Sequence, residues 1–295
     1  MTDTGISGKV LLIGADGQLG TDIYRILAGK DVVPLTIADL DITKKEQVDS
    51  LLRRHHPRVV INTAAYNRVD DCEKEDLLAF SVNASGVKDL AFACREIGAT
   101  LVHFSTDYVF DGEKGSPYGE DDAPCPRSAY GITKLAGEFF ARYITDKHLV
   151  IRTSSLFGAA GCLGKGGGNF VETMLKLGRE KGSAKVVTDQ IVSPTYTVDL
   201  ARKSVQLIAQ GRSGLYHVTN KGQCSWYDFA RKIFELARLE VNLKGTTSNE
   251  FRAPAHRPKY SVLAHGNLEK IGMDDLPTWD EALSAYLKQK QYIRG

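Results

Sequence analysis

Along the chain, short apolar runs alternate with longer stretches whose apolar residues recur at helical spacing. The runs 9–13, 31–35, 58–61, 100–104 and 148–152 read as buried strands, and the segments near 19–28, 44–55, 73–97 and 128–144 read as amphipathic helices. That alternation predicts an α/β fold built on a doubly wound parallel sheet. Past residue 152 the alternation loosens, and 158–168 is a glycine-rich connector. Neither an internal repeat nor a low-complexity tail interrupts the pattern.

The first strand carries the first chemical signal. Lys9-Val-Leu-Leu-Ile13 runs into Gly14-Ala-Asp-Gly17-Gln-Leu-Gly20, and a helical pattern follows at Ile23, Ile26 and Leu27. A strand, a glycine turn and a helix in that order suit a dinucleotide: glycines let backbone approach a pyrophosphate, and the helix N-terminus points unpaired N–H groups at its charge. A tight turn without a ligand is the plainer alternative. The predicted cofactor contacts here are Gly14, Asp16, Gly17, Gln18 and Leu19.

A second signal is Tyr130-Gly-Ile-Thr-Lys134, with Thr106 closing the run Leu-Val-His-Phe-Ser-Thr some two dozen residues earlier. Residues at i and i+4 share a helix face, where an ammonium beside a phenol is expected to lower a pKa of about 10. Such a phenol trades a proton with a carbonyl oxygen near neutral pH. Alone, a Tyr and a Lys at this spacing are more often an aromatic beside a solvated lysine.

Composition narrows the classes without choosing among them. The 295 residues, 42% of them hydrophobic, suffice for one large domain or two smaller ones. A formal charge of +2 gives no electrostatic case for nucleic acid or a membrane surface. Cys72, Cys94, Cys125, Cys162 and Cys224 form no C-x-x-C pair, so reduced thiols are expected rather than a zinc ribbon or a disulfide framework. The segment Met-Thr-Asp-Thr-Gly-Ile-Ser-Gly lacks a secretory pattern, and no stretch approaches the roughly 18 apolar residues of a membrane span. A cytoplasmic protein is expected. His55-His56 ends a helical pattern, where a cation complements the helix dipole, and no catalytic metal is predicted.

Together with the glycine turn, several ordered segments carry a family resemblance: Asp39-Leu-Asp-Ile-Thr43, Ile61-Asn-Thr-Ala-Ala-Tyr66 with Val69-Asp70, Ser105 to Gly112, and Ser128 to Glu138. Ile151 to Ser154, Gly168-Asn-Phe170, Asp189-Gln190, Ser193-Pro-Thr195 and Arg257-Pro258 with Ser261 and Leu263 extend it nearly end to end. The chain resembles the dTDP-4-dehydrorhamnose reductase family of the extended short-chain dehydrogenase/reductases.

The resemblance implies a Rossmann-like cofactor domain over 1–152 and about 186–220, and a smaller, discontinuous substrate domain over about 153–185 and 221–295. It implies NADPH or NADH as cofactor, held also by Thr36, Asp41, Ile42, Ala64, Ala65, Tyr66, Tyr130 and Lys134. Thr106, Tyr130 and Lys134 are the implied catalytic residues. Thr106, Asp107, Tyr130, Ser155 and Asn169 are the implied contacts to a 4-keto-6-deoxy nucleotide sugar, whose C4 ketone would be reduced, dTDP-4-dehydro-L-rhamnose giving dTDP-L-rhamnose. Some relatives use Mg²⁺ at a subunit contact, for which Asp22 is the matching acid, and a homodimer is expected from the family.

Three positions refine that expectation. Tyr108 stands where nucleotide-sugar 4,6-dehydratases carry a glutamate base, and an ordinary phenol replaces that base poorly. Ser155 stands where the reductases commonly carry a sugar-contacting Trp, which leaves the exact sugar open. Thr36 ends the second strand without an acid or an adjacent Arg, so NADH and NADPH both remain, with a lean to NADPH or dual use. Other nucleotide-sugar reductases and epimerases, and a dinucleotide-binding regulatory subunit of the methionine adenosyltransferase type, are the alternatives carried forward.

Overall fold

The computed structural model describes residues 5–161 and 166–294. Cys162, part of the predicted 158–168 connector and the first four residues lie outside them.

The amino-terminal half is a run of strand–helix units: β1 (Val10–Ile13), α1 (Gln18–Ile26), β2 (Val32–Leu35), α2 (Lys45–His55) and β3 (Val59–Asn62). Next come α3 (Val69–Cys72), α4 (Asp76–Phe80), α5 (Gly86–Ile97), β4 (Thr100–Thr106), α6 (Ala129–Ile144) and β5 (His148–Thr153). Each strand and helix lies within one or two residues of its predicted place except near 73–97, where the helix starts three residues late and runs as α4 and α5 joined by a π-helical turn at Ser81–Ser85, with α3 a separate short helix before it. The continuous part, Asp76–Ile97, is long and apolar enough to cross a membrane by length and composition, contrary to the sequence expectation, with a mean hydropathy of 1.2. Half of that window is buried within the protein, where Val87, Leu90, Ala91 and Cys94 fill the core. Burial of one face against a sheet raises hydropathy as surely as lipid does.

The second half contributes β6 (Leu156–Phe157), α7 (Phe170–Lys181), β7 (Ser183–Val187), β8 (Ile191–Val192), β9 (Thr195–Tyr196), α8 (Thr197–Ala209) and β10 (Gly214–His217). It ends with β11 (Cys224–Ser225), α9 (Trp226–Leu236), β12 (Asn242–Thr246), α10 (Ser248–Phe251), α11 (Gly266–Lys270) and α12 (Trp279–Gln289).

The main sheet has six parallel strands in the order β10-β5-β4-β3-β1-β2. Its inner strands β1, β3 and β5 are apolar on both faces, as a sheet sandwiched between helix layers requires. One face packs Leu12, Ile61 and Ile151 against α1 and α8, with Ile23 and Leu200 among the contacts. The other packs Leu11, Val60 and Val150 against α2, α5 and α6. A separate core forms where β7 pairs with β12 and α7, α9 and α12 gather Phe157, Phe229, Ile233 and Tyr286. The strand order reverses between β1, which leads outward to β2, and β3, which leads to β4. Ligands of doubly wound sheets bind at that reversal, beyond the strands' carboxyl ends.

Candidate active site

The glycine turn leaves the carboxyl end of β1 and is hydrogen-bonded to its neighbours: Gly14 N and Ala15 N donate to Leu35 O at 2.8 and 3.1 Å, and the Thr63 hydroxyl donates to Gly14 O at 3.0 Å. Gly14 has φ +76°, and a Cβ there would lie 2.7 Å from the Thr63 hydroxyl. At Gly20 a Cβ would reach 2.1 Å from Gly14 O, so its absence is what lets α1 pack against the turn. Gly17 differs. A Cβ there would meet only Gly14 O, at 3.3 Å, so the protein itself makes a weak demand for glycine. Gly17 is also the N-cap of α1 with no side-chain cap, which leaves the first N–H groups, those of Gln18 and Leu19 among them, for an anion. Gln18 adds a buried Oε1 with no hydrogen-bond partner. The uncapped helix start and the glycine cradle, which present N–H donors, together fit a dinucleotide's pyrophosphate, whereas the Gln18 oxygen is an acceptor and adds nothing toward an anion. The Leu19 side chain is in the core, and Asp16 is exposed on the turn.

The other predicted cofactor contacts divide. Ala64, Ala65 and Tyr66 continue from β3, held by Asn62 Oδ1 on Ala64 N and by Asn83, which accepts from Tyr66 N at 2.8 Å and donates to Tyr66 O at 3.0 Å. The Asn83 amide also donates to Thr133 of α6 at 3.1 Å, so the π-helical turn ties the cofactor edge to the helix bearing Tyr130. The Tyr66 phenol is bonded to Glu75, which pushes its pKa up to about 12. Asp41 turns its carboxylate to Thr43, and Ile42 is buried against Gly86, so the Ile42 side chain lies beneath this edge rather than in it.

At the end of β2 the structure corrects the sequence reading. Thr36 is not without an acid, because Asp39 curls back and accepts hydrogen bonds from Thr36 N at 2.9 Å and Thr36 Oγ1 at 2.8 Å. Those bonds, the backbone one first, hold the exposed Asp39 carboxyl below its ordinary range.

Across the sheet, Thr106 ends β4 and Tyr130 opens α6, whose N-cap Ser128 accepts from Gly131 N at 3.1 Å. The Thr106 hydroxyl accepts from Tyr108 N, donates to Asp107 Oδ1 at 3.0 Å, and is within hydrogen-bonding reach of the Tyr130 phenol. Lys134 is 2% exposed, and its ammonium donates to Phe104 O at 2.6 Å. Burial lowers its pKa to about 8, against the opposing pull of Glu138 one turn along α6. The sequence predicted that Lys134 would lower Tyr130. The opposite holds: burial pushes the phenol up, with Asp107 adding to the rise, and Lys134 is spent on a backbone carbonyl. A phenol that keeps its proton is a donor, which is the role a ketone reduction needs.

Asp107 is sealed at 2% exposure, its oxygens taken by Thr106, by Ser154 Oγ at 2.9 Å and by Ser261. Burial raises its pKa in spite of these bonds. It therefore stands behind Thr106 rather than in the open. Ser155 adopts φ +49°, uncommon outside glycine, with its hydroxyl 3.2 Å from that of Ser154. Asn169 is not an open contact: it caps α7, accepting from Glu172 N, and its amide donates to Gly158 O and to the Tyr286 hydroxyl. Asp22 is also corrected. It is 2% exposed and accepts from Thr197 Oγ1 at 2.6 Å between α1 and α8, which is no place for a cation shared between subunits. Among the described residues no group of three or more His, Cys, Asp or Glu is arranged to hold a metal.

Sequence reasoning missed the second ring of residues. Arg152 and Glu138 form a fully buried pair behind Lys134, and Ser154 and Ser261 hold Asp107. Asp70 and Arg257 pair within electrostatic range of Tyr108, which stands edge-on to Tyr130 at 5.7 Å between ring centroids. Most of these lie in the segments that carried the resemblance, but long-range pairing is invisible to spacing.

Residues 8–292 match the family described as the RmlD substrate binding domain. A spore coat polysaccharide biosynthesis protein of Bacillus subtilis is 43% identical over 96% of this chain and 98% of its own. A dTDP-4-dehydrorhamnose reductase of Streptomyces griseus is 39% identical over 93% of this chain and 91% of its own. Among solved structures, a dTDP-4-dehydrorhamnose reductase of Clostridium acetobutylicum superposes with a TM-score of 0.92 at 45% identity, covering 96% of this chain and 99% of that one. One from Bacillus anthracis, solved in complex with NADP, gives 0.92 at 40% identity and covers 96% and 100%.

Proposed function

Since the chain belongs to the dTDP-4-dehydrorhamnose reductase family, we propose that it reduces the C4 ketone of a 4-keto-6-deoxy nucleotide sugar with NAD(P)H, dTDP-4-dehydro-L-rhamnose giving dTDP-L-rhamnose. The observation that carries this reading is the meeting of Thr106, Tyr130 and Lys134 at the sheet edge that also presents the uncapped start of α1. The dinucleotide, when bound, supplies the hydride.

The protein's own groups handle the oxygen and its proton. Tyr130 donates its phenolic proton to the ketone oxygen as negative charge develops there, and the Thr106 hydroxyl donates a hydrogen bond to the same atom. In this structure that single Thr106 proton rests on Asp107 Oδ1, so the hydroxyl turns from Asp107 to the ketone oxygen as the charge develops there, while Asp107 keeps its bonds from Ser154 and Ser261. Lys134 keeps one N–H on Phe104 O and offers the others to the nicotinamide ribose. Tyr108, without a carboxylate, supplies no base for dehydration. Thr36 itself neither pairs well with a ribose 2′-hydroxyl nor repels a 2′-phosphate, but it holds the Asp39 carboxylate, which favours the 2′-hydroxyl, at the same turn, so the residues there keep NADH as a cofactor beside NADPH. The relative solved with NADP supports the NADPH side of the choice. Relatives named for other 4-keto sugars, such as a dTDP-4-keto-6-deoxy-D-glucose reductase of Streptomyces niveus at 37% identity, mark the nearest alternatives. The test is NADPH oxidation dependent on dTDP-4-dehydro-L-rhamnose, with the product's C4 configuration read by NMR.

A further inference from the structure

Arg257 forms two parallel hydrogen bonds to Asp70, NH1 to Oδ1 at 3.0 Å and NH2 to Oδ2 at 2.8 Å, and Asp70 also accepts from Ala255 N at 3.1 Å. The partners are 187 residues apart. Asp70 belongs to α3, just past the loop that follows β3. Arg257 belongs to a strap, residues 255–263, laid across the loop after β4. The strap lies close because Gly112, at φ +82°, has no side chain: a Cβ there would come 2.6 Å from Pro258. Four residues beyond Arg257, the strap delivers Ser261 to Asp107.

Both ends of the pair lead to reacting groups. On the α3 side, Glu73 accepts from Ala129 N at 2.9 Å, which holds the backbone immediately before Tyr130. On the strap side, Ser261 braces Asp107, which braces Thr106. Tyr108 stands between, its ring edge-on to Tyr130 and its hydroxyl in the field of the Arg257 charge.

We propose that the Asp70–Arg257 clamp is a positioning device for the reaction, setting the distance and angle between the Tyr130 and Thr106 hydroxyls by locking α3 to the strap. It rests on the reductase reading and adds two positioning residues to it. The fork geometry is the essential feature, because a guanidinium locks both carboxylate oxygens while an ammonium supplies only charge.

The test compares Asp70→Asn and Arg257→Lys with the wild type in steady-state reduction, alongside NADPH affinity by fluorescence titration and thermal unfolding. The clamp predicts that both variants lose about tenfold or more in kcat, while the NADPH Kd stays within about twofold. Arg257→Lys at wild-type kcat would overturn it, since charge alone would then suffice. Loss of NADPH affinity in step with kcat would also overturn it by marking general disruption. A wild type that does not oxidise NADPH with any 4-keto-6-deoxy nucleotide sugar would instead defeat the reductase reading beneath it.

Discussion

Arg152 and Glu138 face each other with two of the three guanidinium nitrogens on the two carboxylate oxygens, Nε to Oε1 at 2.9 Å and NH2 to Oε2 at 2.7 Å, with side-chain exposures of 1% and 0%. Phe110 stacks its ring under the guanidinium at 5.1 Å. Glu138 is also the group that favours the charge on Lys134, one helical turn away. Glu138→Gln therefore acts twice. It strands a buried guanidinium, at a cost of about 3–5 kcal/mol, and it drives the Lys134 pKa below its already lowered value. Urea denaturation should show the loss of stability, and kcat should fall at neutral pH while recovering partly as pH drops and Lys134 regains its proton. A stability change under about 1 kcal/mol would mean that the pair is not the brace its geometry describes.

Lys134 makes a pH-dependent contribution whose sign is fixed. Its folded pKa, about 8, lies below the ordinary 10.5, so between those values the unfolded chain binds the extra proton. Stability from this group is complete above the unfolded value and is lost as pH falls through about 8. Wild type measured against Lys134→Met should therefore gain relative stability from pH 7 to 10, on the order of 1–3 kcal/mol. The difference between the two proteins cancels the tyrosines and cysteines that titrate in the same range. A flat difference across that range would contradict the burial argument. Loss of the ammonium should separately weaken NADPH binding and turnover.

The glycines of the turn should separate by role. Gly17→Val places a branched side chain where only Gly14 O lies near, so the protein should fold normally and bind NADPH at least tenfold more weakly, about 1.4 kcal/mol. Gly20→Val drives a side chain against Gly14 O and should lower the melting temperature before any ligand is added. Cofactor titration and thermal unfolding on both proteins check the contrast, and unchanged affinity in folded Gly17→Val would remove the pyrophosphate from this turn.

Cofactor choice should respond to the Thr36–Asp39 pair. Thr36→Asp introduces a carboxylate that pairs with a ribose 2′-hydroxyl and repels a 2′-phosphate, so kcat/KM should move toward NADH. Asp39→Ala removes the acid already at that turn and should move the ratio the other way. The wild-type ratio itself decides the premise: a preference for NADH above tenfold would show that Asp39, not Thr36, is what the ribose meets.

The elements around the cofactor were legible because their causes are local. Apolar runs such as Val10–Ile13, the glycine spacing after them and the periodicity of Ala129–Ile144 each lie within a few turns of chain. The Tyr130–Lys134 spacing placed both residues correctly on one helix. It gave the wrong direction for the phenol, because desolvation depends on what packs around a group and not on its sequence neighbours. Asn169 and Asp22 misled for a related reason: each matched a functional position, but the fold uses them for a helix cap and a helix–helix hydrogen bond. The bracing residues Ser261 and Arg257 act on partners more than 150 residues earlier, which no local pattern records.

The central claim is that Tyr130 delivers the proton to a sugar ketone beside Thr106. Its most direct measurement is NADPH oxidation by wild type, Tyr130→Phe and Thr106→Val with dTDP-4-dehydro-L-rhamnose, run beside NADPH titrations of the same proteins. Tyr130→Phe removes the transferable proton and keeps the ring, so kcat should fall by on the order of 10²–10⁴ with cofactor affinity retained. Thr106→Val, nearly isosteric, should lower kcat by a smaller factor through one lost hydrogen bond to the developing oxyanion. Full activity in folded Tyr130→Phe would contradict the mechanism, and a wild type inert toward every 4-keto-6-deoxy nucleotide sugar would favour a dinucleotide-binding regulatory protein instead.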